Sequence, residues 1–452
     1  MQMTPLTAHG FLNAFLRPVA ILASVVAQGV LLGLPARGQA MRPAVRVAYV
    51  HNGNIWILDD PSGRRIRLTT DGHDSAPRWT TNGRALLFQR QTGGRFQTLR
   101  WQPGKGISRL RDGLWSPDGT AVAFVRTARP AGSATTVWVA RQGQTVRITP
   151  IQHGFRWYPA AWSPESGRLA LTRFPIPPPT KPGQEIPPTS ASLWVTVGAA
   201  GTTQLKRLPL PPLSPGHPGW PDIVLWSPDD RFLTVGIGPD MQCESCRADG
   251  RPYDAIPVAG GKVVYLGTAL APDEAISWAP GGSYVVLSSP AGRETYQNKH
   301  LFRVDSTTGA QRTLSHDWRW ADIEPAVSPD GKHVAFARGR AQGPSTRLTP
   351  VELIASRHLF LMGADGGQPH QLTNAPGWTD EAPVWSPDGQ WLLFVRWRRH
   401  HQDQAAEAAL WAVRADGTDP ERIAGFNVSA GFLNGFGFYG SFGWKGLFDV
   451  AP

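Results

Sequence analysis

Histidine, tryptophan and carboxylates gather in six short stretches of this 452-residue chain. They read Asp71-Gly72-His73-Asp74, His153-Gly154-Phe155-Arg156-Trp157-Tyr158, His217-Pro218-Gly219-Trp220-Pro221-Asp222, Asp273-Glu274, His316-Asp317-Trp318-Arg319-Trp320-Ala321-Asp322-Ile323-Glu324, and Trp378-Thr379-Asp380-Glu381. Imidazoles and carboxylates can bind a cation or move a proton, and indole faces take up peptides, sugars and cations. Converging on one axis, these side chains would make a wet, partly aromatic cup. Kept apart they have plainer work: Asp and Glu satisfying backbone amides at strand starts, Trp covering a rim.

Other chemistries lack their residues. No serine stands in G-x-S-x-G: Tyr439-Gly440-Ser441-Phe442-Gly443 comes nearest and lacks the first glycine. There is no P-loop, no dinucleotide G-x-G-x-x-G after a strand and no H-E-x-x-H. His400-His401, in a charged loop, reads as solvated. No catalytic residue and no metal set is therefore assigned, and no cofactor is expected, although histidines from different blades leave a channel metal open. Cys243 and Cys246 form one C-x-x-C without the second ligand pair that zinc needs, so a small disulfide pinning a loop is the expectation.

What must position the six stretches is a repeat. Trp115-Ser116-Pro117-Asp118-Gly119, Val327-Ser328-Pro329-Asp330-Gly331 and Trp385-Ser386-Pro387-Asp388-Gly389 are the clearest copies, with looser ones at Trp79, Trp162, Trp226 and Trp278. The copies lie 36 to 64 residues apart, each followed by three further strand-like segments, which is the mark of a β-propeller. Within a copy Pro presets the first turn angle, Asp bonds back to its own backbone and Gly accepts positive φ. Asp118 is thus a turn residue rather than a catalytic acid. In the copy at Trp115, strands are expected over 113–116, 121–125, 136–140 and 145–149.

Val45 to Val50, Asn54 to Asp59 and Arg64 to Thr69 give three strands with no first strand before them. Phe438 to Gly446, with Trp444, resembles a first strand. Pairing of the two ends would close an eighth blade and remove an exposed sheet edge. The fold class is all-β: a propeller of four-stranded blades, eight in number, with seven as the alternative. First-to-second and third-to-fourth turns are tight and share one face. The opposite face collects the long insertions at 174–190, 238–254, 339–357 and 396–409, together with the six stretches above, so binding is expected there.

Charge and the N-terminus bound the setting. Residues 18–35 are apolar, follow Arg17 and precede Gly38 and Ala40, as in a secretory signal cleaved after Ala40; an uncleaved anchor is the alternative. Either way residues 41–452 are one exported propeller domain, periplasmic or extracellular. Removing residues 1–40 removes two arginines and no acid, so the formal charge of +11 becomes +9. That charge favours acidic partners, while the absence of a nucleic-acid module argues against nucleic acid.

The Trp-Ser-Pro-Asp-Gly, Leu/Val-Ala-Phe, Leu-Trp-Val and Arg-Leu-Thr elements resemble the WD-like repeat of the TolB family across about residues 45 to 446. TolB itself carries an α/β domain ahead of its blades, which this chain lacks. The resemblance implies the fold and little of the function. The expectation is an exported, non-enzymatic, monomeric propeller that binds a protein or peptide of the cell envelope through the long-loop face and channel mouth. Two alternatives stand beside it: a metal-dependent polysaccharide lyase with a site in the channel, since similar repeats occur in oligogalacturonate lyases, and a polyanion-binding envelope module. Similar repeats also gate prolyl-oligopeptidase-type peptidases, but that version is missing its serine. The residues expected at the channel mouth are His73, Asp74, His153, Trp157, Tyr158, His217, Trp220, Asp222, His316, Trp318, Trp320, Asp322, Glu324, Trp378, Asp380 and Glu381.

Overall fold

The repeat becomes a ring of eight four-stranded antiparallel sheets in the computed structural model of the chain. The structure describes residues 45–59, 63–129, 134–176, 191–197, 204–212, 219–238, 250–269, 275–290, 292–399, 406–428, 439–440 and 442–452, all within the compact unit 42–452. His217, Cys243, Cys246, Asp273, Glu274 and the leader segment lie outside the described residues, as does most of the 174–190 and 238–254 insertions. Among the described residues no helix is long and apolar enough to cross a membrane.

Blade 1 runs Asp74–Trp79, Leu86–Thr92, Arg95–Gln102 and Gly106–Arg109; blade 2 runs Leu114–Trp115, Ala121–Thr127, Thr135–Arg141 and Gln144–Arg147. Blade 3 is Phe155–Trp162, Leu169–Pro175, Ser192–Val197 and Gln204–Leu208; blade 4 is Trp220–Trp226, Phe232–Gly238, Arg251–Pro257 and Val264–Ala269. Blade 5 comprises Ile276–Trp278, Tyr284–Ser289, His300–Asp305 and Gln311–Thr313, and blade 6 Trp320–Val327, His333–Arg340, His358–Gly363 and Gly366–Gln371. Blade 7 comprises Thr379–Trp385, Trp391–Arg399, Ala406–Arg414 and Glu421–Asn427. First strands of neighbouring blades touch one another, so they line the channel.

The turn chemistry that sets the phase is visible atom by atom. In blade 2, Ser116 Oγ donates to Asp118 Oδ1, which also accepts from Thr120 N at 3.0 Å, while Ala121 N donates to Ser116 Oγ at 2.9 Å. Burial would raise the Asp118 carboxyl, but the bonds from Ser116 and Thr120 outweigh it and hold the group below its ordinary value. Gly119 has φ 69°, as Gly331 and Gly389 have 70°, where a Cβ would be strained. Second strands are buried on both faces because each is sandwiched between its own sheet neighbours and the adjoining blades: Leu392, Leu393, Phe394 and Val395 are all fully buried. At roughly 1.5–3 kcal/mol for each large apolar side chain removed from water, these inter-blade layers dominate the favourable side of folding.

Blade 8 closes the ring as expected, though with a different C-terminal strand. Its first strand is Phe448–Val450, beside Val47–His51, Asn54–Asp59 and Arg64–Arg67. The register pairs Val47 with Val450, Ala48 with Asp449 and Tyr49 with Phe448. The expected segment around Trp444 instead forms a short 3-10 turn, Trp444–Gly446. The reason is packing: Trp444 is fully buried against Trp397 and Phe442, a place a strand at the ring closure could not give it.

Candidate functional site

The face away from the Ser-Pro-Asp-Gly turns carries a second repeat, at the far end of the second strand in blades 1, 2, 3, 6 and 7. Arg90, Arg126, Arg173, Arg338 and Arg396 each stand two residues after a buried apolar residue, as in Phe88-Gln89-Arg90 and Phe336-Ala337-Arg338. In three blades the first strand opens with the matching acid, 16 residues earlier. Arg90 Nε and Nη2 reach Asp74 at 2.7 and 3.0 Å. Arg338 holds Asp322 at 2.6 and 2.8 Å, and Arg396 holds Asp380 at 2.6 and 3.0 Å. These are bidentate, charge-assisted forks, with all three carboxylates buried. Two residues past each of these acids the backbone takes positive φ, at Ala76, Glu324 and Ala382, and the ladder register shifts.

Asp74, Asp322 and Asp380, expected at an open channel mouth, are therefore spent on holding first and second strands together. Burial alone would raise Asp380; the bonds from His358, whose Nδ1 lies 3.2 Å from its Oδ2, and from Arg396 keep it below the ordinary range. Glu381 is also consumed. It is fully buried, pairs with Arg357, and accepts from Trp397 Nε1 at 2.8 Å and Trp444 Nε1 at 2.9 Å. Glu324 accepts from Ala382 N at 2.7 Å, linking blade 6 to blade 7.

Arg357 ties a strap across this sector. Besides Glu381 of blade 7 it donates to the carbonyl of Gly440 at 2.8 Å and to Thr295 Oγ1, which lies in the connection between the second and third strands of blade 5. Thr295 N donates to the carbonyl of Tyr439 at 2.9 Å. Arg357 follows the helix Pro350–Ala355, started by a capping box between Thr349 and Glu352. The described part of the C-terminal segment is thus anchored to blades 5, 6 and 7.

Blades 2 to 4 are built differently. Trp157, fully buried, meets Trp194 edge-on at 5.4 Å and lies under Arg173. Tyr158, Phe174 and Trp220 form a run of aromatic rings, Phe174 stacking on Trp220 at 4.6 Å and lying 6.1 Å from Tyr158. Trp320 lies under Arg338 and Arg340, and Trp378 under Arg398 at 4.4 Å. Trp318 is 61% exposed. His73, His153 and His316 are exposed on separate blades, and the side chain of Asp222 is not described. Among the described residues no three His, Cys, Asp or Glu side chains group to hold a metal. The expected cup is therefore divided: aromatic rings lie against arginines on both sides of the ring, whereas the acid–arginine forks are on blades 1, 6 and 7. The arginines were missed from the sequence, although the Phe-x-Arg ending and its 16-residue spacing to Asp were there to be read.

No family model matches the chain. It is 24% identical over 205 residues to an uncharacterised protein of Agrobacterium fabrum, covering 44% of this chain and 56% of that one. It is 27% identical over 119 residues to an uncharacterised peptidase of Bacillus subtilis, covering 26% of this chain and 16% of that one. The chain thus spans about half the length of one curated relative and a sixth of the other. Among solved structures, dipeptidyl peptidase 4 of Porphyromonas gingivalis superposes with a TM-score of 0.55 at 12% identity, over 86% of this chain and 59% of that one. A putative TolB from Agrobacterium tumefaciens superposes at 0.37 and 15% identity, over 68% of this chain and 92% of that one. The match to a relative named as a peptidase overturns the expectation of a non-enzymatic partner-binding scaffold. The chain is an eight-bladed β-propeller whose fold is similar to that of the dipeptidyl peptidase structure.

Proposed function

We propose that this propeller serves peptide hydrolysis, its loop face taking up peptide chains and selecting them by size and sequence before a hydrolytic centre acts. The observation that carries this reading is the sequence match to the Bacillus subtilis peptidase. The chemistry of the rim supports it. The Tyr158–Phe174–Trp220 run offers flat, rigid apolar area at low entropic cost, as peptide-binding surfaces do. Hydrolytic chemistry is assigned to none of the described residues. Export is part of the same proposal, resting on the apolar stretch 18–35.

The test is a binding and cleavage assay on the whole chain with a mixture of peptides from about 3 to 30 residues and with folded proteins as competitors. Retention or cleavage of peptides, falling off for folded proteins, is the expected result. Equal indifference to every peptide length would sink the proposal.

A further inference from the structure

The repeat supplies a carboxylate for its second-strand arginine in blades 1, 6 and 7 and withholds it in blades 2 and 3. Sixteen residues before Arg126 stands Leu110, and sixteen before Arg173 stands Trp157. Arg173 has found substitutes. Its Nε donates to Ser192 Oγ at 3.1 Å and its Nη1 to Gln152 Oε1 at 2.9 Å, and it is half-buried among Phe155, Trp157 and Trp194. Arg126 has none. Among the described residues its guanidinium has no carboxylate and no hydrogen-bond acceptor; it is exposed and held only by stacking, 4.4 Å from the Trp138 ring and 5.3 Å from Phe124.

A second cation lies against the same ring. Arg111, in the connection entering the first strand of blade 2, sits with its guanidinium 4.4 Å from the centroid of Phe124. It too is exposed and without a carboxylate partner among the described residues. Arg126 ends the second strand on the loop side, so both guanidiniums share that face with the aromatic run of blades 3 and 4. Both guanidiniums lie against the Phe124 ring, and their donors meet no acceptor among the described residues, which leaves them for a ligand. Planar forks so arranged match the two oxygens of a carboxylate.

We propose that Arg111 and Arg126, oriented by Phe124 and Trp138, form a binding site for a peptide carboxylate, taking the place that Asp fills in blades 1, 6 and 7. The site rests on the reading of the propeller as a peptide-handling module and adds a substrate class to it: peptides bearing an acidic side chain or a free C-terminus. Lysine would supply the charge at either position without the bidentate fork.

Fluorescence anisotropy with labelled short peptides tests this on the whole chain. Three peptides of equal length separate the sources: a glutamate peptide with amidated C-terminus, its glutamine analogue also amidated, and the glutamine analogue with a free C-terminus. The chain is expected to favour at least one carboxylate peptide over the neutral one by about tenfold, the worth of one charge-assisted pair. Arg126→Gln and Arg111→Gln should each remove most of that preference and leave the neutral peptide unchanged, and Arg126→Lys should restore it only in part. Arg173→Gln removes the same charge from a satisfied arginine and should leave the preference intact; unchanged near-ultraviolet circular dichroism verifies the fold of each variant. Equal affinity for all three peptides, a preference that survives the double variant, or an equal loss in Arg173→Gln would overturn the site while leaving the peptide-handling reading in place. Binding of no peptide at all would overturn both.

Discussion

At the scale of the residue, the acids of this propeller divide by what reaches them. Asp74, Asp322 and Asp380 have arginine forks, and Asp118 and Asp330 have turn amides and hydroxyls. Asp254 is buried and Asp449 half-buried, both with far less help, and desolvation pushes both up to about 6. Asp449 accepts from Trp79 N at 2.6 Å and from the Val450 amide, with Arg78 as a favourable charge. An acid raised in the folded state binds its proton more tightly there than in the unfolded chain. Stability is then greatest below the unfolded value of 3.8 and falls as pH rises toward 6, by about 3 kcal/mol for Asp449. Asp449→Asn keeps an acceptor for Trp79 and removes the titration, so melting midpoints between pH 4 and 7 should fall less steeply, and adding Asp254→Asn should flatten them further. A slope unchanged in the double variant would contradict this account. In the sequence Asp74, Asp380 and Glu381 look like site residues because residue type is legible and partner is not: the forks join residues on different strands, and only the register brings them together.

Elements were more legible than contacts. The Ser-Pro-Asp-Gly turn fixes the strand phase by local chemistry, which is why the expected strands at 121–125 and 136–140 fall inside the observed Ala121–Thr127 and Thr135–Arg141. The closing strand was misplaced because its signature is absent. Phe448–Val450 has neither Trp nor a following turn, whereas the Trp-bearing segment before it, described over 439–440 and 442–446, belongs to the strap. What holds the strap is long-range: Arg357 gathers Glu381, Gly440 and Thr295 from parts of the chain up to 83 residues away. Arg357 and Glu381 are each 1% exposed, so Arg357→Ala strands a buried carboxylate and should cost about 3–5 kcal/mol in denaturant unfolding. Arg398→Ala, which breaks the pair with Glu407 at side-chain exposures of 45% and 43%, should cost less than about 1 kcal/mol. Similar losses in the two variants would mean that the buried cluster does not anchor the strap.

For the whole molecule, the asymmetry of the two faces was readable from loop lengths alone, and the eight-blade ring from motif spacing and the orphan strands at the N-terminus. Function was not, because a propeller repeat specifies its own packing and says little about what the rim binds. The rim also differs around the ring in a way that only partners reveal: blades 1, 6 and 7 neutralise their arginines internally, and blade 2 presents two cations and an aromatic floor. The central claim is that peptides meet this propeller on the loop face. A photoreactive benzoylphenylalanine peptide, irradiated with the whole chain and mapped by mass spectrometry, tests it most directly. The account expects adducts on the loop-face rim of blades 2 to 4, near Arg126, Tyr158 and Trp220. Adducts confined to the opposite face, at the Ser116–Gly119, Ser328–Gly331 and Ser386–Gly389 turns, would contradict it.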